Sequence, residues 1–162
     1  MPDLEPSTVR DVSALMIGRL GDLLVASPFL RSLKTLYPKA KLRLVVSAVA
    51  VQAARLLPEV DETLEFHKLR SFLANAGLAK GLARGRCDLM VDLNPAFSRT
   101  AALLGAAVRA PVKLGFKKGR LDGVFTHLVE APAEGEHMLD RYRRLALSRG
   151  APFDGEPSIR LS

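Results

Sequence analysis

An aspartate at the start of the first long apolar segment is the residue best suited to acid–base chemistry. Asp22 ends the loop 18–22, which follows an apolar run at 12–17 and precedes a run with helical spacing. A helix dipole favours the ionised form of a carboxylate there, so Asp22 is a candidate general base for a bound hydroxyl. A structural interpretation competes with it, because a carboxylate in the first turn also satisfies free backbone N–H groups. Position alone leaves both interpretations open.

The same loop argues against two common nucleotide sites. It reads G-x-x-G-D, whereas a dinucleotide-binding loop reads G-x-G-x-x-G, and the spacing of a P-loop is absent. Asp22 would repel a pyrophosphate approaching the helix N-terminus. The second predicted strand ends at Ser47 with no acidic residue after it for a ribose. We therefore expect no nicotinamide cofactor and no cofactor of any kind in this chain.

Predicted strands and helices alternate along the chain and must position Asp22. Such alternation indicates an α/β fold, a Rossmann-like three-layer sandwich with a mainly parallel sheet in the order 3-2-1-4-5. We expect strands at 12–17, 41–47, 62–66, 87–93, 112–116, 124–130 and 158–161, and helices at 23–36, 48–57, 71–83, 97–108 and 134–149.

Particular residues refine this prediction. Pro28 should kink or restart the first helix, and Gly150 should terminate the last one. Residues 1–11 are predicted to be a polar tail and residues 12–162 a single domain. The topological switch point falls between strands 12–17 and 87–93, where loops 18–22 and 94–99 should form a ligand crevice.

Composition and charge narrow the classes of partner. The 162 residues are 48% hydrophobic and 25% charged, which is typical of a globular domain. A net charge of +7 favours anionic partners such as nucleic acid, phosphorylated sugars or an acidic membrane face. The single cysteine, Cys87, excludes an internal disulfide. With no predicted membrane span and no signal peptide, we expect a cytoplasmic protein.

Several motifs in order resemble one enzyme family. The stretch MIGRLGDLLVASPFLRSLKTLYPKAKLRLVVS is similar to the opening of family 9 glycosyltransferases, the bacterial lipopolysaccharide heptosyltransferases. It has Gly21-Asp22, Pro28, Leu30-Arg31 and Tyr37-Pro38-Lys39-Ala40 in register with that family. Further along, DLMVDLNPAFSRTAALL, VKLGF and EHMLDRYRRLALSRG resemble the family's fourth strand and loop, its fifth strand and its last helix. The resemblance covers about residues 12–161.

The resemblance implies a fold, an activity and partners. Family members have two Rossmann-like domains in the GT-B arrangement, and this chain resembles the N-terminal, acceptor-binding half. It implies transfer of heptose or a related sugar, with inversion, from ADP-heptose or a similar nucleotide-sugar to the lipopolysaccharide inner core. Asp22 falls on the family's base. The implied partners are the core acceptor, a C-terminal donor domain or partner chain, and the inner face of the inner membrane, with no nucleic acid.

Residues near the predicted crevice are candidates for acceptor binding. Arg19 and Arg99 lie in the crevice loops, three cations follow the fifth strand, and His137 matches the family's histidine. The expected set is Arg19, Gly21, Asn94, Arg99, Lys117, Lys118, Arg120 and His137. Guanidinium and ammonium groups there could neutralise phosphates or carboxylates of the core. The competing interpretation of each cation is a solvated basic face.

A non-enzymatic module that binds anions or nucleic acid through its basic surface is the alternative function. Affinity for nucleic acid would then fall steeply with salt. The chain has no helix-turn-helix, zinc-finger or RNA-recognition signature. His67 and His127 lack partners at metal-ligand spacing, so we expect no metal site.

Overall fold

Six parallel strands form one sheet in the computed structural model, which describes residues 4–67, 72–130 and 133–156. The strands are β1 Asp11–Met16, β2 Lys41–Ser47, β3 Glu62–Phe66, β4 Leu89–Asp92, β5 Val112–Phe116 and β6 His127–Val129. Their order in the sheet is β3-β2-β1-β4-β5-β6. The predicted order is confirmed for the first five strands, and β6 adds a parallel strand beside β5.

Helices cover both faces of the sheet. They are α1 Leu20–Leu36, α2 Val51–Arg55, α3 Phe72–Arg84, α4 Arg99–Ala107 and α5 Met138–Leu147, with short 3₁₀ turns at Ala48–Ala50 and Asp122–Val124. Helices α1 and α5 pack together, as do α3 and α4. Because side chains alternate along a strand, Ala14 joins the core under α1 while Leu15 joins the core under α4. The predicted three-layer α/β fold is confirmed.

Helix α1 runs without a break through Pro28, so the predicted restart is wrong. Proline has no N–H to donate to the carbonyl four residues earlier, which belongs to Leu24. The Ser27 hydroxyl donates to that carbonyl at 2.7 Å and supplies the missing hydrogen bond. A serine beside the proline therefore lets the helix continue to the turn at Tyr37.

Side-chain caps move several helix and strand ends from their predicted positions. Strand β4 begins at Leu89 rather than Cys87, because the Asp88 carboxylate accepts hydrogen bonds from the backbone N–H groups of Arg10 and Asp11. Helix α4 begins two residues later than predicted, where the Ser98 hydroxyl accepts a hydrogen bond from the Ala101 N–H.

The ends of the domain also differ in detail from the prediction. Helix α5 begins at Met138 rather than 134. The prediction for Gly150 is confirmed: it adopts a φ of 69°, and the next N–H, from Ala151, reaches the carbonyl of Ala146 at 3.0 Å. Within the predicted tail, Val9 is fully buried and β1 begins at Asp11. The predicted strand at 158–161 lies outside the described residues.

Candidate functional site

Asp22 occupies the third position of α1, directly after the carboxyl end of β1. Its Oδ2 accepts a hydrogen bond from the backbone N–H of Arg19 at 3.1 Å. The residue is half-buried, and within the described part of the chain its carboxylate forms no ion pair. A Cβ on Gly18 would lie 3.1 Å from that same oxygen, so the glycine leaves room for the carboxylate. The structural capping role is therefore real, and one face of Asp22 still reaches solvent.

A buried ion pair lies at the carboxyl ends of β4 and β5. Lys118 Nζ is 2.6 Å from Asp92 Oδ2, and the two side chains are 6% and 2% exposed. The other oxygen, Asp92 Oδ1, accepts hydrogen bonds from the Asn94 backbone N–H at 2.9 Å and from its Nδ2 at 2.6 Å. Asn94 Nδ2 also donates to the carbonyl of Leu15 in β1. This network fixes the floor of the predicted crevice.

Two of the predicted acceptor-binding residues, Lys118 and Asn94, belong to this buried network. The sequence predicts an accessible cation at Lys118, but its ammonium is buried against Asp92. Asn94 is likewise 6% exposed, with its amide nitrogen engaged inside the fold. Both residues position the crevice loops. Asp92, which sequence reasoning missed, is the centre of the network.

The loop after β5 carries the other cations predicted there. Asp122 accepts hydrogen bonds from the backbone N–H groups of Lys118 and Gly119, each at 3.0 Å, which closes the loop. Arg120 places its guanidinium 6.0 Å from the centre of the Phe97 ring, so it bridges to the β4–α4 loop. Lys117 is exposed and lies 3.9 Å from Glu130. The loop thus keeps Arg120 and Lys117 at the surface.

Tyr142 anchors α5 beneath the crevice. It is fully buried, and its hydroxyl donates to the carbonyl of Leu93 at 3.0 Å. Burial, and then the negative charges of Asp22 and Asp92, raise the pKa of Tyr142, so the phenol stays protonated and keeps donating. The buried phenol thus ties α5 to the end of β4.

Arg99 and His137 stand at helix N-termini beside the site. Arg99 is the first residue of α4 and is exposed. His137 caps α5, since its Nδ1 accepts a hydrogen bond from the Leu139 N–H at 3.2 Å. Gly21 is exposed, with open space where a Cβ would lie.

A cleft of about 790 Å³ opens over the carboxyl ends of β1, β2 and β3, with the start of α4 as its far wall. Its lining is Ile17, Gly18, Arg19, Leu20, Ser47, Ala48, Val49, Phe66, His67, Ser98 and Thr100. Of the predicted acceptor-binding residues, Arg19 alone lines this cleft; the other seven are described and lie outside its lining. Both loops predicted to form the crevice contribute to this cleft, loop 18–22 through Gly18, Arg19 and Leu20 and loop 94–99 through Ser98, and the cleft extends further towards β3 than predicted. No spacing rule in the sequence pointed to Val49 or His67.

A second, basic cleft of about 660 Å³ lies at the opposite end of the strands, where β4 and β5 begin. Its lining is Lys80, Ala83, Arg84, Gly85, Arg86 and Arg109, at the ends of α3 and α4 that precede β4 and β5. Arg86 lies 3.4 Å from Asp88, whereas Lys80, Arg84 and Arg109 form no ion pair within the described ranges. The sequence indicated a basic surface but not this concave cluster.

The described part of the chain shows neither a metal-binding cluster nor a membrane-spanning helix. In 4–67, 72–130 and 133–156, no group of three or more His, Cys, Asp or Glu side chains could hold a metal ion. None of the helices in these ranges has the length and apolar character required to cross a membrane.

Solved structures of glycosyltransferases share this fold. The glycosyl transferase family 9 from Veillonella parvula DSM 2008 superposes with a TM-score of 0.81 at 20% identity, covering 99% of this chain and 47% of that one. The E. coli ADP-heptose lps heptosyltransferase II superposes with a TM-score of 0.77 at 20% identity, covering 94% and 47%. E. coli heptosyltransferase WaaC with ADP-2-deoxy-2-fluoro heptose gives a TM-score of 0.72 at 18% identity, covering 86% and 48%.

The resemblance that the motifs implied is thus confirmed at the level of the fold. This chain spans about half the length of the solved structures that it matches. No family model and no curated protein matches the sequence.

Proposed function

We propose that this chain is the acceptor-binding domain of a glycosyltransferase. The assembled enzyme transfers heptose, or a related sugar, from a nucleotide-sugar to the lipopolysaccharide inner core with inversion. The observation that carries the proposal is Asp22, half-buried at the carboxyl end of β1 and held there by the Arg19 N–H at 3.1 Å. The fold shared with heptosyltransferases supports it.

The chemistry assigned to Asp22 is general-base catalysis. Inverting transfer needs one carboxylate to take the proton from the acceptor hydroxyl, on the face opposite the leaving group. The acceptor oxygen then bonds to the anomeric carbon as the nucleoside diphosphate departs. Asp22 suits this role because its backbone hydrogen bond orients the carboxylate while leaving it solvent-reachable.

The donor site belongs to another domain or to a partner chain. A helix N-terminus or a glycine-rich loop that presents N–H groups is the usual site for the phosphates of a nucleotide. In this chain the N-terminus of α1 carries Asp22, whose charge would oppose a diphosphate. ADP-heptose, or a similar nucleotide-sugar, is thus a substrate of the assembled enzyme and not a ligand of this domain.

The proposed acceptor also suggests where the protein works. A lipid-linked core acceptor is presented at a membrane surface, so we place the chain in the cytoplasm at the inner face of the inner membrane. The net charge of +7 favours contact with acidic lipid headgroups.

The proposal predicts that charge reversal at Arg99 weakens acceptor binding more than charge reversal at Lys39. Arg99 is exposed at the start of α4, after the carboxyl end of β4, whereas Lys39 is exposed in the turn before β2, at the amino ends of the strands. Arg99→Glu should lower affinity for a phosphorylated, heptose-deficient core oligosaccharide by about 10-fold, the usual effect of losing one charge-assisted contact. Titration calorimetry at fixed salt measures it. Equal effects of Arg99→Glu and Lys39→Glu would mean diffuse electrostatic attraction and would contradict the proposed site.

An anion-binding module is the second candidate function, and the basic cleft of Lys80, Arg84, Arg86 and Arg109 favours it. Filter binding to mixed-sequence DNA and RNA at two salt concentrations separates the two candidates. Tight binding that falls steeply with salt supports the module. Negligible binding at both concentrations supports the glycosyltransferase domain.

A further inference from the structure

We propose that His67 binds a hydroxyl group of the acceptor sugar, in the cleft over the carboxyl ends of β1, β2 and β3. This inference rests on the proposed function and names a residue that holds the ring of the acceptor sugar. The cleft is lined by both loops that the sequence indicated, and it extends from them towards β3.

The backbone of His67 is held in place by a neighbouring amide. His67 follows the last residue of β3, Phe66, and lines the cleft. Asn75 on α3 accepts a hydrogen bond from the His67 N–H at 3.2 Å and donates to the His67 carbonyl at 2.8 Å. The Asn75 side chain thus satisfies both backbone groups of His67 and holds the backbone that carries the imidazole.

A carboxylate orients the imidazole itself. His67 Nδ1 lies 3.2 Å from Glu65 Oε1, and the His67 side chain is 31% exposed. A carboxylate at Nδ1 favours the tautomer with the proton on that nitrogen, which leaves Nε2 as a hydrogen-bond acceptor. A sugar hydroxyl is a matching donor.

The rest of the cleft has the chemistry of a carbohydrate site. Five apolar side chains belong to its described lining, and two of them are unusually exposed: Val49 at 75% and Leu20 at 44%. Ser47, Ser98 and Thr100 also line it; the Ser47 hydroxyl donates to the Gly18 carbonyl at 2.7 Å, and the Ser98 hydroxyl caps α4. A pyranose presents apolar C–H faces and a polar rim, so it can cover the exposed Val49 while its hydroxyls meet His67.

Arg19 adds a positive charge to the described part of the lining. Its guanidinium can meet a phosphate or carboxylate of the core, while His67 meets a hydroxyl. We assign the sugar ring to the His67 cleft and the anionic groups of the core to Arg19 and Arg99.

Nuclear magnetic resonance of the histidine rings tests the inference on the full 162-residue chain. The chain has three histidines, so single substitutions assign every imidazole signal. Titration with a heptose-deficient core oligosaccharide should shift the His67 ring resonances and leave those of His127 unchanged. His127 begins β6, at the opposite edge strand of the sheet, and serves as the internal control.

Two substitutions extend the test. His67→Phe should weaken oligosaccharide binding about 2–10-fold, the usual effect of one hydrogen bond, while the Asn75 clamp on the backbone preserves the fold. Glu65→Gln should cause a smaller loss of oligosaccharide affinity, because it removes the carboxylate that favours one tautomer but keeps the imidazole.

The outcomes distinguish this inference from the proposed function. If Arg99→Glu weakens binding but the His67 resonances stay fixed, the His67 assignment is overturned and the acceptor domain stands. If the oligosaccharide shifts no resonance at millimolar concentration, both fail together. A shift of the His67 resonances on titration, together with weaker binding by His67→Phe at an unchanged melting temperature, supports the inference.

Discussion

Replacing Asp22 with Asn is expected to lower kcat for sugar transfer about 10²–10⁴-fold, the usual consequence of losing a general base. The measurement uses this chain assembled with its donor domain or partner chain. Asparagine keeps the shape of the side chain and an oxygen that can accept the Arg19 N–H. It cannot take a proton from the acceptor hydroxyl, so the affinity for the acceptor should change little while turnover falls.

A stability measurement on the isolated chain is the control for Asp22→Asn. Removing a negative charge from the first turn of α1 should lower the free energy of unfolding by about 0.3–1 kcal/mol. That loss is too small to explain the expected loss of turnover. Undiminished turnover by the Asn variant would refute the base assignment and leave Asp22 as a helix cap.

Lys118→Met is expected to destabilise the chain by about 3–5 kcal/mol, because it leaves Asp92 buried without its counter-charge. Methionine replaces most of the aliphatic stem, so the effect comes mainly from the lost charge. Two hydrogen bonds from Asn94 remain on Asp92 and do not replace the ion pair. Chemical denaturation followed by circular dichroism measures the change.

The adjacent lysine supplies a matched control for Lys118→Met. Lys117 is 56% exposed and lies 3.9 Å from an exposed Glu130, so Lys117→Met should change stability by less than about 0.5 kcal/mol. Adding Asp92→Asn to Lys118→Met removes the orphaned charge and should recover part of the lost stability. Equal losses from Lys117→Met and Lys118→Met would contradict the assignment of a buried pair.

Local sequence patterns predicted the architecture because each element is encoded by short-range periodicity. Alternating strands and helices fixed the sheet order for β1 to β5, and loop 18–22 placed Asp22 at the start of α1. Pro28 shows the limit of a single-residue rule. Whether a proline breaks a helix depends on a neighbour such as Ser27, whose hydroxyl can reach the orphaned carbonyl.

The candidate site was harder to predict because long-range pairing decides its side chains. Lys117 and Lys118 are equivalent in the sequence, yet one is solvated and the other is buried on Asp92, 26 residues earlier. His67 looked uninformative because no metal partner follows it at the right spacing. Its significance comes from the cleft that three strand ends form together, which no local pattern encodes.

The most direct test of the central claim is to mix the purified 162-residue chain with ADP-heptose and a heptose-deficient core acceptor. Glycosyl transfer requires the acceptor hydroxyl and the donor anomeric carbon to be held about 3–3.5 Å apart. If this chain is the acceptor half, calorimetry should detect binding of the core oligosaccharide but not of ADP-heptose, and mass spectrometry should find no transferred sugar. Steady, Asp22-dependent transfer by this chain alone would contradict the account, because it would require a donor site within these residues.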